Sequence, residues 1–149
     1  MNLSNRQRQT LLAYLGAAPF VATALLMSMG IHNIPFVGPL FSAISVYALI
    51  IAAFMAGSHW GQQLGFSDTW RFKLQITTNI QAVGLWLAYV WLDNSWFMLV
   101  LITSFLISLW LDQQLKQAQL IEAAYWQTRL KVTIILVLSL VIIGIVKTG

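Results

Sequence analysis

The stretch that decides the fold is residues 41–61, FSAISVYALIIAAFMAGSHWG. It holds no Asp, Glu, Lys or Arg and a single histidine, His59, and as a helix it matches the roughly 20 residues that cross about 30 Å of hydrocarbon. Ser45, Ala48, Ala52 and Ala56 recur at helical spacing as a stripe of small side chains, and Ala53, Gly57 and Gly61 form a second stripe on roughly the opposite side. In lipid, helices associate through close packing of small residues and through hydrogen bonds, since apolarity alone gives no preference for protein over lipid. Two stripes predict neighbours on both faces. His59 continues the first stripe and is predicted to point toward other helices, near one end of the span.

Working outward, residues 11–30, 74–92, 96–111 and 130–146 read as four further spans. Turn chemistry separates them: Asn33, Pro35, Gly38 and Pro39 after the first, residues 65–68 after the second, and Asp93-Asn94-Ser95 after the third. The expected fold is therefore all-α, a polytopic membrane protein with a five-transmembrane-helix bundle forming one domain over residues 1–149. Pro19 frees the Leu15 carbonyl and is predicted to bend the first span.

Basic residues set the orientation. Arg6 and Arg8 precede span one, Arg71 and Lys73 lie between two and three, and Lys116, Arg129 and Lys131 lie between four and five. Only Lys147 falls on the other side, so the N-terminus is predicted inside and the C-terminus outside. The first apolar run is longer than a signal-peptide core and the chain begins at Met1, which reads as a retained helix. Tryptophans follow the same boundaries: Trp60, Trp70 and Trp126 at the inner one, Trp91 and Trp96 at the outer one, as in interfacial aromatic belts.

Composition agrees. Of 149 residues, 59% are hydrophobic and 8% charged, against about a quarter charged in a soluble domain. The net charge of +4 does not point to nucleic acid, because the basic residues sit in small groups between spans and not along one face. With no cysteine, disulfides, thiolate metal sites and cysteine nucleophiles are excluded.

Span three carries two stripes, Thr77, Gln81, Gly84, Ala88 and Gln75, Asn79, Ala82, Trp86, Tyr89, so spans two and three are predicted to form the core. Span five is bulky on all sides and is predicted to be peripheral and lipid-facing. The inner segment 112–129 places Leu111, Leu115, Ala118 and Tyr125 at helical spacing; it reads as an interfacial helix, an extension of span four, or a connector packed on the bundle end.

Polar groups inside a membrane are costly and each is a functional candidate. His59, Gln62, Gln81, Asp112, Trp126 and Arg129 are predicted to meet at a similar depth near the inner end, with Trp60 beside them. Two readings stand. One is a ligand-binding pocket open to the inner interface, with Arg129 contacting an anion or headgroup. The other is structural: His59 hydrogen-bonded between helices, Asp112 paired with Arg129, tryptophans as anchors. No catalytic residues are assigned. A bis-histidine haem would need His32 and His59 together, yet they lie at opposite faces, and no cluster supplies the three or four ligands of a zinc site. Phosphate-loop, nucleophile-elbow and metalloprotease motifs are missing.

Leu15-Gly16-Ala17-Ala18-Pro19-Phe20, Gly57-Ser58-His59-Trp60-Gly61, Trp86, Asp112 and the run from Trp126 through Arg129 to Thr133 resemble one known group. It is a family of small bacterial and mitochondrial polytopic membrane proteins of unknown function that includes transmembrane protein 69. The His-Trp-Gly run is the most specific part, and the resemblance covers nearly the whole chain. Where that family tends to have Ser-x-x-Pro in the third span, this chain has Thr78-Asn79-Ile80-Gln81, so a proline kink is not carried over. The resemblance implies a membrane bundle and draws attention to His59, Trp60, Asp112 and Arg129, but implies no reaction. Lack of a transit peptide favours a bacterial inner membrane. Tryptophan-rich sensory proteins, which bind porphyrins and sterols, are similar in architecture only.

Three functions follow as expectations. The first is a non-enzymatic protein binding an apolar ligand with a polar head, such as a lipid, quinone or porphyrin; no particular cofactor is identified. The second is an accessory subunit or assembly factor docking on a partner membrane protein. The third is a small transporter working as a homo-oligomer.

Overall fold

The Asp93-Asn94-Ser95 turn illustrates how local chemistry places the helices. Asp93 is the N-cap of the helix that follows, its carboxylate accepting from the backbone N–H groups of Ser95 at 3.0 Å and Trp96 at 3.1 Å. The computed structural model describes residues 5–148, with side chains from Gln7 to Lys147. The expectations resting on Met1 and on the Arg6 side chain lie outside the described residues. Five long helices dominate: α1 Asn5–Ser28, α2 Leu40–Gln62, α3 Asp68–Trp91, α4 Asn94–Gln117 and α5 Ala123–Thr148. A small antiparallel hairpin, β1 Asn33–Ile34 with β2 Gly38–Pro39, joins α1 to α2. Its turn places Phe36 at φ 68 and Gly38 at φ 82, and leaves the Phe36 ring wholly exposed. A 3-10 turn, Gln63–Gly65, follows α2.

Among the described residues, four stretches are long and apolar enough to cross a membrane: Gln7–Ser28, Leu40–Gly65, Asn94–Gln117 and Ala123–Lys147. α3 equals them in length but not in hydropathy, because Gln75, Thr77, Thr78, Asn79 and Gln81 crowd its second to fourth turns. The predicted spans 41–61, 96–111 and 130–146 fall inside α2, α4 and α5, whereas 11–30 overruns the end of α1 at Ser28 and 74–92 that of α3 at Trp91. α4 continues past Asp112 to Gln117, so the polar segment 112–129 is largely an extension of α4 and the first turns of α5, with a short connector between them. Gln119, at φ 56, helps to break the helix there.

α2 packs on α1, α3 and α4, and its predicted first stripe is real: Ser45, Ala48, Ala52, Ala56 and His59 are all buried. The second stripe is not covered, since Ala53, Gly57 and Gly61 are exposed. α1, α2 and α4 meet at Phe20, whose ring lies 5.4 Å from Tyr47 and 6.3 Å, edge-on, from Phe105. Such aromatic pairs contribute about 0.5–1.5 kcal/mol beyond their buried area. The Tyr47 hydroxyl also donates to the Gly16 carbonyl at 3.1 Å, next to the Leu15 carbonyl freed by Pro19.

The predicted order of centrality needs correction at both ends. α5 is not a mere lipid-facing helix: its packing on α1 is the most extensive in the bundle, it also packs on α4, and it buries Val132, Thr133, Leu136, Ser139, Leu140 and Ile143. α3 sits at the edge, packed chiefly on α2 and α4, with Asn79, Ala82, Trp86 and Tyr89 exposed. Bulk on one helix does not expel it from a core when its neighbour offers small residues, and α1 supplies Ala13, Ala17 and Ala24 on its packed face.

Candidate functional site

Three helix ends bring charge together. His59 lies in the last turn of α2, Asp112 near the end of α4 and Arg129 in the second turn of α5. Asp112 is fully buried and shares its carboxylate: Oδ1 accepts from His59 Nε2 at 2.8 Å and Oδ2 from Arg129 Nε at 2.7 Å. A carboxylate only accepts, so Nε2 carries the imidazole proton here. With a neutral imidazole, the cluster carries no net charge. The His59 ring is fully sealed, and its Nδ1 has no partner. Arg129 is about one-seventh exposed, and its Nη2 is also buried without a partner.

Two predicted neighbours sit at the rim. Gln62 Nε2 donates to the Tyr125 hydroxyl at 3.5 Å, a long contact. Trp126 keeps a buried, unpaired Nε1, while Lys116 stacks over its ring at 3.9 Å. Two other predictions do not join the cluster. Trp60 is 48% exposed and turns onto the α2–α3 flank, where it borders a shallow groove with Gly57, Asn79 and Ala82. Gln81 lies further along the bundle and bonds α4 instead: its Nε2 donates to the Ser104 carbonyl at 2.9 Å, to Ser104 Oγ at 2.6 Å and to Ser108 Oγ at 3.0 Å.

Sequence reading missed Ser104 and Ser108, although they precede Asp112 at steps of four on one buried face of α4. It also missed the Tyr125 hydroxyl, while Gln63, just beyond the His59 stripe with Gln62, is buried with an unpaired Oε1. Beside Arg129, a groove of about 120 Å³ runs between α1 and α5, lined by Gln9, Thr10, Ala13, Tyr125 and Thr128 among others. Among the described residues, no three His, Asp or Glu side chains group closely enough to hold a metal ion.

Long apolar helices packed around buried, internally neutralised polar groups define a small multi-pass helical membrane protein. More particularly, the chain belongs to the family described as "Protein of unknown function (DUF3429)", whose family model matches residues 6–145. No curated protein and no solved structure matches it.

Proposed function

We propose that this chain is a five-span, non-enzymatic membrane protein that holds an apolar molecule with a polar head at its basic end, with Arg129 as the head contact. One observation carries the reading. Arg129 spends Nε on Asp112 while Nη2 is buried and unpaired, on a side chain that also borders the α1–α5 groove. An unsatisfied buried donor costs about 1–3 kcal/mol, more when charged, and a phosphate, carboxylate or carbonyl head supplies the acceptor. Gln9, Thr10, Glu122, Tyr125 and Thr128 add polar atoms to the groove, and Ala13 and Ala124 add apolar wall. His59 favours binding over catalysis, since its ring is sealed and its Nε2 engaged, leaving no approach for a substrate.

The fifth span is argued from α3 itself. Leu74 packs with Leu111 and Leu115 at one end of α4, Tyr89 stacks on Phe97 at the other at 5.5 Å, and Gln81 bonds its middle. α3 therefore runs alongside α4 for nearly its whole length. Thr77, Thr78 and Asn79 spend their donors internally, on carbonyls of their own helix. The Lys and Arg bias supports a cytoplasmic basic end, as in a bacterial inner membrane.

Native mass spectrometry of protein extracted in native-lipid nanodiscs tests the reading. A retained amphiphile is expected, lost at least in large part from Arg129→Gln. Because Arg129 also braces Asp112, Thr10→Leu serves as a second variant that narrows the groove without touching that contact. An empty wild-type protein, or unchanged retention in both variants, overturns the proposal.

A second reading, an accessory subunit or assembly factor, is favoured by the uncovered face of Ala53, Gly57, Asn79, Trp60 and Ala82. Photo-cross-linking from that face in native membranes tests it. A discrete product with another protein supports docking, and lipid adducts alone count against it.

A further inference from the structure

The polar group that the basic end leaves out opens onto a different surface. Gln81 and Ser104 line a groove of about 480 Å³ between α3 and α4, whose remaining walls include Gly84, Ala88, Trp91 and Ile107. Its size falls within the roughly 300–1,000 Å³ of small-molecule sites. Not one charged residue borders it, and Ile80, Gly84, Trp91, Thr103 and Ile107 are exposed along its flanks. Gln81 is only 7% exposed, and its three contacts to α4 all run through Nε2. Its Oε1 is buried without a partner.

We infer that the α3–α4 groove binds one neutral, hydroxyl-bearing apolar molecule drawn from the bilayer, its hydroxyl donating to Gln81 Oε1. Three features select that chemistry. The open valence is an acceptor, so the ligand brings a donor. Ser104, bonded to Gln81, lies near the middle of α4, a helix of membrane-spanning length, so the donor sits deep in the bilayer where a charged head is costly. From Gln81 the walls run apolar through Leu85 and Ala88 to Trp91 and Leu92, a path of about 15 Å at helical rise, which suits an extended hydrocarbon or isoprenoid body. A complete partner helix, about 10 Å across, is too large for a groove of this volume. The site is separate from Arg129 in both place and charge preference, and stands or falls independently of it.

Gly84 makes the test clean, because a Cβ added there meets nothing within 4 Å. Gly84→Leu therefore fills the groove and leaves the bundle intact, a point checked by an unchanged melting temperature. Wild-type protein in phosphatidylcholine nanodiscs is titrated with geranylgeraniol, the hydrocarbon phytane and geranylgeranyl phosphate, and retention is read by native mass spectrometry. The alcohol is expected to bind one per chain and at least tenfold better than either control. Gly84→Leu is expected to weaken it at least tenfold and Gln81→Leu to erase the preference over phytane. Equal retention of all three probes, or undiminished binding in Gly84→Leu, overturns the assignment. So does a discrete protein cross-link from Gly84→Cys in native membranes, where the chain's lack of other cysteines makes the label unique.

Discussion

The basic end and the middle of the bundle treat polar groups in opposite ways. At the basic end, Asp112 is buried with both oxygens engaged, by His59 from α2 and Arg129 from α5, so three helices converge on one carboxylate. In the middle, Gln81 joins only α3 to α4 and leaves one oxygen unmet beside an open groove. The difference follows from the cost of desolvation. An unpaired ion in a low-dielectric interior is penalised far more than an unpaired amide, so the buried carboxylate is given two donors while a neutral amide oxygen can go unmet. The Asp112 carboxylate suits a brace, whereas Gln81 Oε1, like Arg129 Nη2 beside that brace, suits a contact for something that comes and goes.

The sharpest way to break this comparison is at Asp112. Asp112→Asn keeps the shape but strands the Arg129 guanidinium, and removing one partner of a buried ion pair costs about 3–5 kcal/mol. We expect the largest fall in melting temperature of any single variant discussed here. Adding Arg129→Gln removes the stranded charge, so the double variant is expected to recover part of the loss, a coupling readable by a double-mutant cycle. Additive losses would show that the carboxylate and guanidinium do not act as a unit.

How much of this was legible beforehand depends on whether one helix carried the signal. The Ser45–Ala48–Ala52–Ala56–His59 stripe was readable because helical phase alone puts its members on one face, and every member is buried. The pairing of Asp112 with Arg129 followed from their rarity and from their common end of the bundle, one closing span four and the other opening span five. Trp60 was misjudged, although it follows His59 by about 100° of helical turn, so a His59 turned inward carries Trp60 to the flank. Ser104 and Ser108 were invisible for another reason. A serine in a membrane helix often bonds its own backbone, as Ser45 does to the Phe41 carbonyl at 2.7 Å. No pattern within α4 says which serines meet a neighbour instead. The burial of α5 was hidden because it depends on the small residues of α1, more than 90 positions away in sequence.

A middle-sized effect is expected at Gln81. Gln81→Leu removes the α3–α4 hydrogen bonds, and interhelical bonds of this kind in membranes contribute about 0.6–2 kcal/mol. Ser104 and Ser108 can then turn to carbonyls of their own helix, which limits the damage. The loss in thermal stability should therefore fall well below that of Asp112→Asn. A loss as large would mean that the neutral site braces the bundle as firmly as the charged one.

The smallest effect belongs to Trp60, and it separates the two readings of the molecule. Trp60→Ala removes a half-exposed side chain with no hydrogen-bond role in the cluster, so stability should change by no more than about 0.5 kcal/mol. Retention of an amphiphile at the Arg129 groove should be unaffected, because Trp60 lies on the α2–α3 flank and that groove lies between α1 and α5. Cross-linking from Gly57 is the sensitive measurement. If the flank receives a partner protein, the tryptophan is a large amphipathic anchor beside small residues, and its removal should diminish the product while leaving the melting curve in place. If the flank faces only lipid, neither quantity moves. A marked fall in stability would instead place Trp60 within the brace, contrary to its exposed position.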